Sequence, residues 1–249
     1  MKQTIKFVLQ RLFGFENYLF IFSIFTIFTL KFNRKEKDFL FFLSLIPDEG
    51  TLIDIGANIG IMSYHFSKKR PHSSILCFEP VPVNAKILRK IVSFFRLSNV
   101  RVYEVALGNY SGTAEVIMPV MNSVRMQGLS YIRQQNPEEN MPSGESFTCK
   151  IERLDESLSL IENPKKINAL KIDVENHEWQ VLEGAKNTLL KNKPFIYVEL
   201  WENENRANCL RLLTELGYET FVVIKNSMVK FNSAEHNTQN FIFIPKKLS

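Results

Sequence analysis

The sequence predicts an α/β fold, a parallel sheet with helices on both faces, behind a helical extension. Three observations carry this. From Thr51 onward, short apolar runs alternate with segments of helical periodicity, which is the pattern of βαβ units. The first run, Thr51-Leu52-Ile53-Asp54-Ile55, breaks into Gly56-Ala57-Asn58-Ile59-Gly60 and then into an amphipathic stretch, Ile61 to Lys69. Strand, glycine turn and helix together open a nucleotide-binding unit. Before it lies a leader, residues 1–46, rich in the 21 phenylalanines of the chain.

Within the leader, Asn17 to Leu30 holds 14 residues without charge. A spanning helix needs about 20 apolar residues, and runs of about 10–14 are more often core or interfacial helices. The reading is therefore a helical layer packed on the domain. Contact with a membrane surface or a partner is the alternative, because the segment is apolar nearly all round. No small-residue cleavage site follows the run, which argues against a secretory signal. A second leader helix is expected over Glu36 to Leu45, ended by Pro47-Asp48-Glu49-Gly50.

After the glycine turn, Ser74 to Glu79 reads as the second strand and Asn84 to Phe95 as a helix. Val100 to Leu107 reads as the third strand. Gly108-Asn109-Tyr110-Ser111-Gly112 is turn chemistry, so Thr113 to Met118 is expected to pair with Ser146 to Ile151. Between them Pro119 to Glu145 reads as a long irregular insertion, a substrate-covering loop or a disordered one. Ile167 to Val174 and Pro194 to Leu200 are the fourth and fifth core strands, with a helix from Trp179 to Leu190 between them. Arg206 to Leu216 is the next helix, capped by Gly217. Glu219 to Ile224 and Phe241 to Ile244 are expected to close the sheet as a hairpin. The chain thus divides into the leader and one catalytic-size domain over residues 47–249.

Composition bounds the function classes. With 249 residues, 45% apolar and 23% charged, the chain can bury a full core. The net charge of +5 and pI near 9.0 come from scattered lysines and arginines. They read as solvated surface, with no nucleic-acid-binding signature. Cys77, Cys149 and Cys209 are dispersed, which fits neither a disulfide framework nor a zinc site and suits a reducing cytoplasm.

The glycine turn sits between two acids. Asp54 precedes it, and Glu79 closes the second strand 19 residues after Gly60, near the spacing of an acid that bonds ribose hydroxyls. A dinucleotide needs its pyrophosphate against the turn, where Asp54 would repel it, and Asn58 stands where a dinucleotide motif has its second glycine. A cationic donor such as S-adenosylmethionine is favoured by the same acids, so the methyl donor outranks NAD(P). A nicotinamide oxidoreductase and a non-catalytic, membrane-docking protein stay as rivals.

Further carboxylates gather at strand ends: Asp173 with Glu175, and Glu199. Methyl transfer to a hydroxyl needs a base, because a neutral alcohol is a poor nucleophile. Glu175 and His177 are the base candidates and Asp173 the positioning group. Asp173, Glu175 and Glu199 would also suit magnesium, but nothing in their spacing requires it, and no metal is assigned.

These pieces in series resemble the FkbM-type methyltransferases. The matching segments are Asp54-Ile55-Gly56-Ala57-Asn58-Ile59-Gly60, Phe78-Glu79-Pro80, Ala106-Leu107-Gly108, Leu154-Asp155, Lys171-Ile172-Asp173-Val174-Glu175 and Pro194 to Glu199. Asn176 departs from the family's usual glycine. The resemblance implies a class I methyltransferase fold, Rossmann-like, with seven strands and the last antiparallel. It implies S-adenosylmethionine as cofactor and O-methylation of a sugar, glycolipid or polyketide-like hydroxyl. By position it assigns Asp54, Gly56, Asn58 and Gly60 to the methionine and sulfonium part, Glu79 to the ribose, Ala106 to the adenine, and Asp173 to the reacting centre.

Overall fold

The computed structural model describes residues 2–33, 36–133, 143–158 and 165–246. Three leader helices come first: α1 (Lys2–Phe13), α2 (Phe15–Thr29) and α3 (Lys37–Leu45). The first βαβ units follow as β1 (Thr51–Ile55), α4 (Ile61–Lys69), β2 (Ser74–Phe78), α5 (Pro82–Phe94) and β3 (Val100–Tyr103). Pro82 opens α5, where its fixed φ suits the first turn and its missing N–H costs nothing.

The chain then leaves the sheet. Val100 to Leu107 is not one strand: β3 ends at Tyr103, and β4 (Ala106–Leu107) joins a second sheet. Val105 between them is buried and lines the cleft described below, so the break redirects the backbone to form a wall. β5 (Gly112–Met121) and β8 (Gly144–Glu152) pair antiparallel as expected, each longer than the pattern suggested. Residues 119–145 are partly ordered. β6 (Val124–Arg125) and β7 (Tyr131–Ile132) both pair with β5, because its otherwise open edge needs backbone partners. Residues 134–142 of that insertion lie outside the described residues.

α6 (Leu154–Ser157) leads to β9 (Ile167–Ile172), α7 (Glu178–Gly184), α8 (Lys186–Asn192) and β10 (Phe195–Glu199). The single helix expected from Trp179 breaks at Ala185 (φ −111°, ψ 6°). Gly184 sits so close to Gly108 that a Cβ there would lie 1.9 Å from the Gly108 carbonyl oxygen, which holds the end of α7 against β4. α9 (Glu204–Glu215) begins at Asn203, whose side chain accepts from the Arg206 N–H, and Gly217 follows it at φ +80°. β11 (Tyr218–Ile224), β12 (Ser227–Lys230) and β13 (Asn240–Pro245) end the chain.

Among the described residues the main sheet runs β12-β11-β13-β10-β9-β1-β2-β3. β1 is parallel to both neighbours, β2 and β9, and β13 is antiparallel between β10 and β11. The last two predicted strands do pair, but β13 reaches back between its predecessors, and β12 adds an edge strand that the alternation pattern did not reveal. Chain order reverses between β9 and β1, so a crevice opens at their carboxyl ends.

The leader is built into the core. Phe39, Phe42, Leu43 and Ile46 share one buried cluster with Leu52, Phe66, Ala169 and Tyr197. Tyr18, Leu19 and Ile27 share another with Ile59, Ile87 and Ile91. Ser23 Oγ donates to the Ile59 carbonyl at 2.7 Å, and Glu16 meets Lys86 at 2.7 Å. The helical-layer reading of residues 17–30 thus has a specific seat, against α4 and α5.

Phe39 is fully buried, with its ring 5.2 Å from that of Phe66 and 6.0 Å from that of Tyr197. Phe39→Ala is expected to destabilise the whole protein by about 3–5 kcal/mol, read as a single shifted transition in denaturant. A loss below about 0.5 kcal/mol, the ordinary surface value, would show that the leader is not part of the cooperative unit.

Candidate active site

The crevice is a cleft of about 600 Å³, solvent at its mouth included, between the carboxyl ends of the main sheet and the second sheet. Ile55, Gly56 and Asn58 come from the end of β1, Phe78 to Val81 from β2, and Asp173 to Glu175 from β9. Val105, Ala106 and Leu107 form one wall, while Val116 and residues 127–132 cover it.

The glycine turn is fixed by its backbone. Gly56 and Ala57 both donate to the Phe78 carbonyl, at 3.0 and 3.1 Å. Gly56 has φ +72°, and a Cβ there would lie 1.9 Å from the Asp173 carbonyl oxygen. Glycine is thus required by the protein's own packing, before any ligand is considered. Asn58 adopts φ +49°, a left-handed conformation that asparagine accepts more readily than most residues.

Glu79 locks this turn to the next strand. Its Oε2 accepts from the Asn58 N–H at 2.7 Å, and its Oε1 accepts from the Val81 N–H at 3.0 Å and Asn84 Nδ2 at 3.3 Å. Burial pushes its carboxyl up to about 7, against the pull of those donors and of Lys171.

Asp54 and Gly60, expected at the ligand, are not among the residues that line the cleft. Asp54 is fully buried beneath the turn, where its Oδ2 accepts from Ser63 Oγ at 2.6 Å and its Oδ1 faces Lys171 Nζ at 3.4 Å. Gly60 caps α4 at φ +84° under Leu88. His177, a base candidate, does not line the cleft either. It is buried at the start of α7, outside the cleft, with its Nε2 against Gly108 and no hydrogen bond to either ring nitrogen. Burial depresses it to about 4. Asp173 and Glu175 line the cleft and His177 does not, so the cleft does not gather the three expected catalytic groups.

Lys171 is the residue that sequence reasoning passed over. Its ammonium is buried and donates to the Gly56 carbonyl at 2.9 Å, with Asp54 and Asp173 carboxylates each at 3.4 Å. Burial alone would depress it, but the two carboxylates reverse that and hold it above the ordinary lysine range. The signal was available: a lysine inside an apolar parallel strand needs buried partners, and Lys171 stands in register with Asp54.

Glu178 was also missed. Its Oε1 accepts from the Val174 and Asn176 N–H groups, both at 3.2 Å, and its other oxygen accepts from Asn205. Asn203 Nδ2 donates to Asn176 Oδ1 at 2.7 Å. The clamped loop holds Glu175 and Asn176 at φ +50° and +70°, which accommodates asparagine where a glycine would be usual. Glu175 lines the cleft, and its carboxyl is raised to about 8 by burial and by repulsion from Asp173, Glu199 and Glu178. Glu199 rises to about 7, through burial first and Asp173 next. Among the described residues, no three His, Cys, Asp or Glu side chains gather as a metal site.

The residues fit a cationic nucleoside donor. Apolar walls from Ile55, Phe78, Val105 and Ala106 suit a purine, Asp173 offers negative charge, and the Asn58 Oδ1 is a buried acceptor without a partner.

Comparison with known proteins agrees. The fold matches that of methyltransferase FkbM from Methylobacillus flagellatus KT, with TM-score 0.51 and 13% identity over 79% of this chain and 44% of that one. It is the class I methyltransferase fold. Residues 54–220, more than half of the chain, match the methyltransferase FkbM domain, and the protein belongs to that family of S-adenosylmethionine-dependent methyltransferases. Among its relatives, methyltransferase 1 of Beauveria bassiana is 27% identical over 71% of this chain and 75% of its own. The 2-O-methyltransferase NoeI of Sinorhizobium fredii is 27% identical over 64% and 65%. The hexuronic acid methyltransferase AglP of Haloferax volcanii is 25% identical over 82% and 78%.

Lys171→Met leaves Asp54 buried without a counter-charge. It is expected to cost about 3–5 kcal/mol of stability, and adding Asp54→Asn should recover most of it. Chemical denaturation of the single and double variants measures both, and equal losses would show that the pair is not coupled.

Proposed function

We propose that the protein methylates a hydroxyl oxygen on a sugar, glycolipid or polyketide-like acceptor, with Glu175 as general base. The observation that carries this is Glu175, which lines the cleft from a clamped left-handed backbone with its carboxyl raised to about 8, suited to a proton transfer near neutral pH. The names of two relatives support oxygen and a sugar as the acceptor. Bound S-adenosylmethionine supplies an electrophilic methyl on a cationic sulfonium and departs as the neutral thioether.

The chain's own residues do the rest. Glu79, held by Asn58, Val81 and Asn84, keeps an acceptor lone pair for a ribose hydroxyl. Asp173, braced by Lys171, orients the reacting end, and Ala106 borders the purine. A Glu175 carboxylate oxygen takes the proton of the acceptor hydroxyl, so charge does not build up on the attacking oxygen. We place this reaction in the cytoplasm, a setting suited to three free, buried cysteines.

Titration calorimetry with S-adenosylhomocysteine, with NADH as the control, should show binding of the first alone. Glu79→Ala should weaken that binding at least about tenfold, the worth of one good hydrogen bond. Unchanged affinity would remove Glu79 from the ribose.

For the base, the sign is set by the raised carboxyl. Below its value near 8 Glu175 holds a proton and cannot accept another, so the methyl-transfer rate should climb with pH and level off above about 8. Glu175→Gln should lower the rate by about 10²–10⁴ and erase the climb while S-adenosylhomocysteine still binds. Release of S-adenosylhomocysteine across a panel of sugars provides the assay, and a variant with the same pH profile would exclude Glu175.

A further inference from the structure

The inner face of α2 is committed to the domain, but its outer face, continued by the 3-10 turn Leu30–Phe32 that follows it, is a row of exposed apolar side chains. Ile21, Phe25, Phe28 and Phe32 recur at four, three and four residues, and their exposures are 52, 64, 59 and 74%. The patch extends sideways onto α5. Phe28 meets Phe95 with ring centres 6.1 Å apart, Phe95 meets Phe94 at 4.9 Å, and Phe94 meets Phe20 at 5.6 Å. Phe94 is itself 59% exposed. Scattered surface apolar residues need no explanation, but a continuous aromatic patch of this kind marks an interaction surface.

The charges around it are basic. Exposed Arg11 precedes α2, and Lys31 lies 5.0 Å from the Phe32 ring centre. Lys68 Nζ reaches the Phe95 carbonyl, and exposed Arg96 follows Phe95. The one acid on α2, Glu16, is matched by Lys86 at 2.7 Å and Lys90 at 4.0 Å. Exposed aromatic side chains with cations from neighbouring elements at their margin make a surface suited to a lipid interface. Anionic headgroups complement such a rim, whereas a second copy would set one basic rim against another.

From these features we propose that the α2 face docks the enzyme in the plane of an anionic membrane. Phe15 to Phe32 is long and apolar enough, by length and composition, to cross a bilayer. Crossing, however, would strip Leu19, Ile27 and Leu30 from their buried seats and break the Ser23 bond to Ile59, so the helix lies along the surface. Docking does not depend on the identity of the methyl acceptor or of the base.

The test is co-sedimentation of the full chain with vesicles of phosphatidylcholine, alone or mixed with phosphatidylglycerol. The wild type should partition to the mixed vesicles at least about tenfold more than Phe25→Ser/Phe28→Ser/Phe32→Ser, and more than to neutral vesicles. These side chains are exposed, so the variant should keep its melting temperature and its S-adenosylhomocysteine binding, which separates loss of docking from loss of fold or of donor site. Arg11→Glu/Lys31→Glu should weaken binding to the mixed vesicles only. Equal pelleting of wild type and the triple variant would overturn the proposal. So would a concentration-dependent dimer that the triple variant abolishes, since a second copy would then cover the face.

Discussion

One buried ammonium ties the catalytic end of this protein together. Lys171 reaches from β9 to the Gly56 carbonyl, to Asp54 on β1 and to Asp173 at the mouth of the cleft. A buried lysine is tolerated only when its charge is matched, and the buried Asp54 needs the lysine as much as the lysine needs it. The consequence is geometric. The glycine turn, the central strand and the reacting rim cannot shift independently, because all three are bonded to one nitrogen. Glu79 repeats this logic on the other side, fastening the Asn58 amide to the end of β2.

The cleft is therefore a seam between two sheets rather than a hollow in one. The main sheet delivers the turn and the carboxylates at its switch point, and the second sheet supplies the cover through Val116, Tyr131 and Ile132. Burial alone raises Glu79, while burial together with repulsion from Asp173 raises Glu175, Glu178 and Glu199. Such a crowd of acids is a field that a cationic ligand relieves, which is the electrostatic counterpart of an S-adenosylmethionine-dependent family. The leader completes the body, since α2 and α3 cover the main sheet and its helices where apolar surface would otherwise face water.

What the sequence by itself determined was whatever depends on local pattern. Period-two and period-3.6 patterning placed most core strands and helices, and the Gly56–Gly60 turn with Glu79 pointed to the cleft. Gly56, Asn58, Glu79, Ala106, Asp173 and Glu175 all line it. Tertiary structure alone decided the rest, because side-chain direction and strand order are not local properties. Asp54 sits next to the turn in sequence, yet strand alternation points it down to Lys171 rather than toward the cleft. His177 follows Glu175 by two residues, yet the left-handed step at Glu175 and Asn176 buries it against Gly108. The split of Val100 to Leu107 and the insertion of β13 between β10 and β11 answer to backbone bonds made with residues far along the chain. No window of sequence contains those partners, and only folding brings them together.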